Sequence, residues 1–133
     1  MQRFVNNPDF IVDDMLKGLV KANPEVRFSE ENDHVISMKE MKKGKVGVIT
    51  GGGSGHEPAF VGYLGDGMLD SVAIGEVFAS PPALAFYDAI VDADQGEGVA
   101  VLFGNYAGDN MNVKMAVQMA EDDDIEVKIC RCK

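Results

Sequence analysis

Apolar positions alternate between two periodicities along this chain. Ile11, Met15 and Leu19 recur at helical spacing, with Val12, Leu16 and Val20 beside them, and this predicts an amphipathic helix. Asn7-Pro8 supplies a capping side chain followed by a residue whose missing N–H is harmless at a helix start. Asn23-Pro24 stops the helix. Residues 35–38 (VISM) read as a short strand and Lys42 to Gly44 as a turn. Three apolar, β-branched runs follow, at 45–50 (KVGVIT), 68–74 (MLDSVAI) and 98–103 (GVAVLF), with a fourth at 125–130 (IEVKIC). Between the second and third, Ser80-Pro81 opens a helix with Leu84, Tyr87 and Val91 on one stripe and Ala83, Phe86 and Ile90 on the next. Residues 110–120 read as another helix, with Met111, Met115 and Met119 assigned to the core as its apolar stripe. Asp92 to Gly98 reads as an acidic turn, and Glu121 to Asp124 as a solvated helix end.

Strands alternating with helices predict an α/β domain with a mostly parallel or mixed sheet and helices on both faces. Near-continuous apolar runs suit strands covered from both sides. The last run has no covering helix after it, so the chain is expected to stop inside a larger architecture.

Composition narrows the function classes. Twelve Lys and Arg stand against 22 Asp and Glu, a formal charge of −10. That balance argues against nucleic-acid binding, which needs clustered cations to neutralise phosphates. It also argues against adhesion to anionic membranes. No apolar run is long enough to span a bilayer, and the start of the chain lacks a signal-peptide core. Cys130 and Cys132 are too close for an unstrained bridge and too few for a zinc site, and they read as reduced thiols. These features predict a cytoplasmic protein. The two histidines, His34 and His56, lie far apart in sequence and HExxH is absent, so no metal site is expected; His34 reads as a surface residue ahead of a strand.

The chemistry is expected where the polar segments gather. GGGSGHEP, GEVFASP and GNYAGDN each follow a predicted strand, and open α/β sheets bind ligands beyond the carboxyl ends of their strands. The first segment is not a phosphate loop, because no lysine follows the glycines. It is not a nucleophile elbow, because His56 stands where the second glycine should be. A dinucleotide fingerprint fails at the same position. What remains is a backbone cradle with Ser54, His56 and Glu57 at its lip. An imidazole there could donate to a carbonyl or exchange a proton with a hydroxyl; the plainer reading is a turn histidine satisfied by a nearby carbonyl. Asp109 is the second candidate. It reads as a helix N-cap, the commoner role, or as a carboxylate base facing the same rim as His56.

Taken in order, NNPDFIVDDMLKGLVKANP, GKVGVITGGGSGHEPAFVGYLGDGMLD, IGEVFASPP and GEGVAVLFGNYAGDNMN resemble the dihydroxyacetone-binding (K) subunits of dihydroxyacetone kinases. The likeness runs through the whole chain and covers the N-terminal part of that subunit, well under half. It implies the N-terminal domain of a larger two-domain subunit, with the second domain outside residues 1–133. It implies a substrate cradle at Gly53, Ser54, Gly55 and His56, with His56 assisting proton transfer and Asp109 as base toward the hydroxyl that receives the phosphoryl group. A second histidine, which in the family tethers the ketone covalently, has no counterpart here, so this chain alone is expected to form no adduct. The family often carries a lysine five residues before the aspartate, where this chain has Gly104. The resemblance further implies no cofactor bound directly, with Mg and ADP or ATP on a nucleotide-binding L subunit recharged by a phosphocarrier M subunit of the phosphotransferase system. It implies a homodimer working in glycerol metabolism. The competing expectation is a non-catalytic dihydroxyacetone sensor or coactivator.

Overall fold

The computed structural model describes residues 3–132. Six strands form one mixed sheet: β1 (Val26–Phe28), β2 (Val35–Met38), β3 (Gly47–Ser54), β4 (Ser71–Val77), β5 (Val99–Gly104) and β6 (Val127–Cys132), in the order β1-β2-β4-β3-β5-β6. The last four are mutually parallel, while β2 runs antiparallel to both β1 and β4. Three helices accompany them: α1 (Ile11–Ala22), α2 (Ala83–Ala93) and α3 (Ala107–Asp122).

Side-chain alternation along the strands separates two cores. Ala73 of β4 and Val35 of β2 join Phe86, Ile90, Val101, Val113 and Ala116 in the layer under α2 and α3. Their neighbours Val72, Ile74 and Ile36 point the other way and meet Val12 and Leu16 of α1. Since successive strand residues face opposite sides, the sheet is covered on both faces.

Several predicted elements shift. The strand at 45–50 does not stop at its glycines; β3 runs on to Ser54. The reason is close packing. A Cβ on Gly51 would collide with the Phe86 ring and one on Gly52 with the Phe60 ring, so these glycines admit aromatic rings from both layers onto the strand. Helix α2 begins at Ala83, after an extended Pro82, and the Leu84 and Val91 positions face outward while Ala85, Phe86, Ala89 and Ile90 form the buried stripe. The methionine stripe is corrected as well. Met111 and Met115 are exposed, and Val113, Ala116 and Ala120 are the core positions of α3. Small side chains allow α3 to lie close on the sheet, and a stripe chosen by residue size alone overlooks them. Strand β1 was not anticipated, because three residues carry too little alternation to read. Cys130 and Cys132 are free and exposed on β6. Among the described residues, no helix is long and apolar enough to cross a membrane.

Candidate functional site

Three parallel strands deliver their carboxyl ends to one rim. Beyond β3 comes the turn at Gly55 and His56, beyond β4 the segment Phe78 to Ser80, and beyond β5 the start of α3. Together they enclose a cavity of about 440 Å³ lined by Gly53, His56, Phe60, Phe78, Ala79, Ser80, Tyr106, Ala107, Gly108 and Asp109. A larger cavity of about 510 Å³ lies at the opposite end of the strands. Of the three lysines on its wall, Lys42 and Lys45 are already paired with Asp66 and Asp70, at 3.3 and 2.6 Å, and none of the three polar segments that follow the strands reaches it.

His56 stands at the cavity with its ring edge-on to two aromatics, 5.5 Å from Phe78 and 6.2 Å from Phe60 between centroids. This packing limits the ring's rotation while leaving it accessible. Gly55 ahead of it has φ +104°, and a Cβ there would sit 2.6 Å from the Phe78 ring, so the turn requires glycine. The Gly55 N–H donates to both oxygens of Glu57, each at 3.1 Å. Phe78 itself adopts φ +54°, an uncommon conformation for a residue with a side chain. The strained backbone turns its ring across Gly55 and His56.

Asp109 is 4% exposed. It occupies the third position of α3, whose N-cap is Tyr106 without a side-chain bond, so the N-cap reading does not hold. One carboxylate oxygen instead accepts a hydrogen bond from the Ser80 hydroxyl. Asn112 Nδ2 donates to Pro81 O at 2.8 Å and to Ser80 Oγ at 3.4 Å, holding the segment that presents this hydroxyl. The first turn of a helix also favours a carboxylate electrostatically.

Of the predicted site residues, Gly53, His56 and Asp109 line the cavity together. Ser54 does not. Its side chain is buried and its hydroxyl donates to Gly75 O at 2.7 Å, so it stitches β3 to β4. Gly55 shapes the turn beneath His56. Sequence reasoning passed over Ser80, Phe78, Phe60 and Tyr106 as site residues. Ser80 was read only as a helix opener, and the signal that could have raised it was its place in the polar segment after β4. Gly104 lies at the end of β5 against the Tyr106 ring, where a Cβ would sit 3.1 Å from ring carbons.

This geometry suits a small polar ligand held between an imidazole and a buried carboxylate. Among the described residues no Lys or Arg lines the cavity, so these residues do not fit a nucleotide polyphosphate with its metal ion.

Comparison with known proteins agrees with the geometry. The chain is 45% identical over 128 residues to the dihydroxyacetone-binding subunit of PTS-dependent dihydroxyacetone kinase 1 from Listeria innocua, covering 96% of this chain and 39% of that protein. Its structure resembles the dihydroxyacetone kinase of C. freundii in complex with AMP-PNP and Mg2+, with a TM-score of 0.90 at 34% identity, across 98% of this chain and 25% of that one. It also resembles a dihydroxyacetone kinase operon co-activator, with a TM-score of 0.83 at 33% identity, across 89% of this chain and 36% of the other. The chain thus spans well under half the length of these relatives. A model of the Dak1 domain matches residues 17–133, and on this evidence the chain belongs to the Dak1 domain family.

Proposed function

We propose that this chain is the N-terminal part of the substrate-binding subunit of a dihydroxyacetone (glycerone) kinase, a phosphotransferase with an alcohol group as acceptor. The observation that carries the reading is the meeting of His56 and buried Asp109 on one cavity. In this reading Asp109 accepts the proton of a ketose hydroxyl while that oxygen forms a bond to phosphorus and the phosphorus–oxygen bond of the donor breaks. His56 donates a hydrogen bond to the ketose and assists proton transfer. Phosphoryl transfer passes through a loose transition state, so positioning and electrostatics dominate and a carboxylate base suffices. Ser80 is a positioning residue that fixes which way Asp109 points.

The phosphoryl donor is carried elsewhere, consistent with a cavity wall that has no Lys or Arg among the described residues. We place Mg and the nucleotide on an L subunit recharged by a phosphocarrier M subunit from phosphoenolpyruvate, and the subunit in a cytoplasmic homodimer serving glycerol metabolism. Covalent tethering of the ketone belongs to the second domain, since His34 and His56 are the two histidines of this chain. Incubated with dihydroxyacetone and borohydride, the chain should gain no mass; a gain of one substrate would contradict this assignment.

The full-length subunit with its partner subunits should form dihydroxyacetone phosphate, and Asp109→Asn should lower turnover by about 10²–10⁴-fold, the usual worth of a general base. The second reading, a ketose-binding coactivator, draws on the co-activator's structural likeness and on Gly104. Binding of dihydroxyacetone without turnover in the complete assembly would favour it.

A further inference from the structure

The cavity wall beside β5 is made by a ring that leans on a glycine. Tyr106 lines the cavity, and a Cβ on Gly104 would sit 3.1 Å from two carbons of its ring, inside the ordinary carbon–carbon contact of about 3.5–4.0 Å. The missing side chain at Gly104 is therefore what seats the ring. We propose that Tyr106, seated on Gly104, is a specificity-determining residue of this cavity, closing its β5 side so that a three-carbon ketose is preferred to a longer one. This role presupposes that the cavity takes a ketose, as proposed above, and adds what sets the ketose's length.

Strand alternation places the ring. Val101 and Phe103 face the layer of α2 and α3, so Gly104 faces the other side of the sheet. On β3, Gly51 meets Phe86 of that same layer, while Gly52 meets Phe60, which packs with the α1 layer. The strand register pairs Ile49 with Val101, and counted onward it sets Gly52 beside Gly104. Two neighbouring glycines thus carry two rings, Phe60 and Tyr106, on one face of the sheet. Phe60 is anchored by the α1 layer beneath it. Tyr106 is 67% exposed, so it has little packing beyond its seat and its place depends on Gly104.

The backbone that carries the ring is held from both sides. Tyr106 N donates to Gly104 O at 2.8 Å, and Tyr106 O accepts from Asn110 N at 2.9 Å and from Asn110 Nδ2 at 2.8 Å. The same amide nitrogen reaches Asn105 Oδ1 at 2.9 Å. A fixed backbone and a flat seat together define where the ring stands. Much of the remaining wall is the end of a strand and the start of a helix, at Gly53, Ala79 and Gly108, and these elements do not part to admit a longer ligand. A pocket wall of this kind discriminates one carbon by about 10–200-fold. Removing the ring relaxes that discrimination, and lifting it off its seat relaxes it in part.

The test compares dihydroxyacetone with erythrulose, the ketose one carbon longer, in the full-length subunit with its partner subunits. Both the Kd and the kcat/KM of each sugar are measured. Wild type should favour dihydroxyacetone. Tyr106→Ala should shift the ratio toward erythrulose by about tenfold, the low end of what one carbon is worth, and Tyr106→Phe should retain the wild-type ratio. Gly104→Ala should shift it the same way by a smaller factor, and should add nothing once Tyr106 is already alanine, because it acts through the ring. An equal ratio in wild type and Tyr106→Ala, or a Gly104→Ala effect that survives without the ring, would overturn the role. If Tyr106→Ala folds poorly, Gly104→Ala decides alone, and an unmoved ratio sinks the proposal. An assembly that binds both sugars without transferring phosphate would refute the kinase reading, and the Kd ratios would still decide this one. An assembly that binds neither sugar would overturn both.

Discussion

Replacing Ser80 with alanine isolates the contact on which the proposed base depends. The Ser80 hydroxyl donates to Asp109, and Asp109 is 4% exposed. Water is therefore poorly placed to substitute for the lost donor. A hydrogen bond to a charged group contributes about 1.5–3 kcal/mol, and stranding a buried partner adds to the loss. Alanine also removes the group that Asn112 Nδ2 reaches at 3.4 Å, but that amide keeps Pro81 O at 2.8 Å, so its share is small. We expect Ser80→Ala to destabilise the fold by about 2 kcal/mol, which for a domain of this size lowers Tm by roughly 6–10 °C. The contact itself is read from a double-mutant cycle with Asp109→Asn. Contacting polar pairs couple by about 0.5–3 kcal/mol, whereas independent sites add to within a few tenths. Urea denaturation of the four proteins supplies the energies. Additive losses would mean that Ser80 does not hold Asp109, and the positioning role would fall with them. In the full assembly the same substitution should reduce kcat more than it raises KM, because a misdirected base weakens the transition state more than the ground state.

Three further outcomes follow from the structure. Phe78→Gly should leave the unfolding free energy within about 1 kcal/mol of the wild type or raise it, because relief of φ +54° offsets the loss of a ring that is 73% exposed; dihydroxyacetone binding, followed by calorimetry, should weaken as the wall beside His56 disappears. Leu16→Ala, at a position with 0% exposure in the α1 layer, should cost about 2–5 kcal/mol in urea unfolding, and a loss below 1 kcal/mol would mean that α1 is not seated on the sheet. The Tyr87 phenol is held above its ordinary 10.0, first by the hydrogen bond it donates to Asp123 and then by desolvation and carboxylate repulsion. Its folded value exceeds its unfolded one, so the contribution to stability is complete below pH 10 and is lost as pH rises through the folded value. Alkaline titration of phenolate absorbance should show one late step that moves earlier in Asp123→Asn; an unmoved step would refute the pairing.

Much of this arrangement was legible beforehand, for identifiable reasons. The strand runs at 45–50, 68–74 and 98–103 announced themselves because buried parallel strands are apolar on both faces, and the polar segments after them marked the rim. His56 and Asp109 were found there. The role of Gly51 and Gly52 was hidden, because their function is set by Phe86 and Phe60, neither of them a sequence neighbour. Ser54 looked like a ligand-facing hydroxyl because β3 was expected to end earlier. One strand register decided otherwise, turning its oxygen to Gly75. Ser80 was overlooked because its partner lies 29 residues away. Local spacing reveals which residues are near a rim, while the pairings across it require the fold.

Phe60 packs with the α1 layer, fills the space above Gly52 and meets His56 edge-on. A single ring thereby joins the hydrophobic foundation of the N-terminal half to the imidazole at the mouth. Wear in that foundation, from a trimmed valine or a loosened helix, should surface first as a poorly aimed histidine and only later as an unfolded chain. Variants that look innocuous by thermal melting are therefore the ones whose substrate affinity most repays measurement.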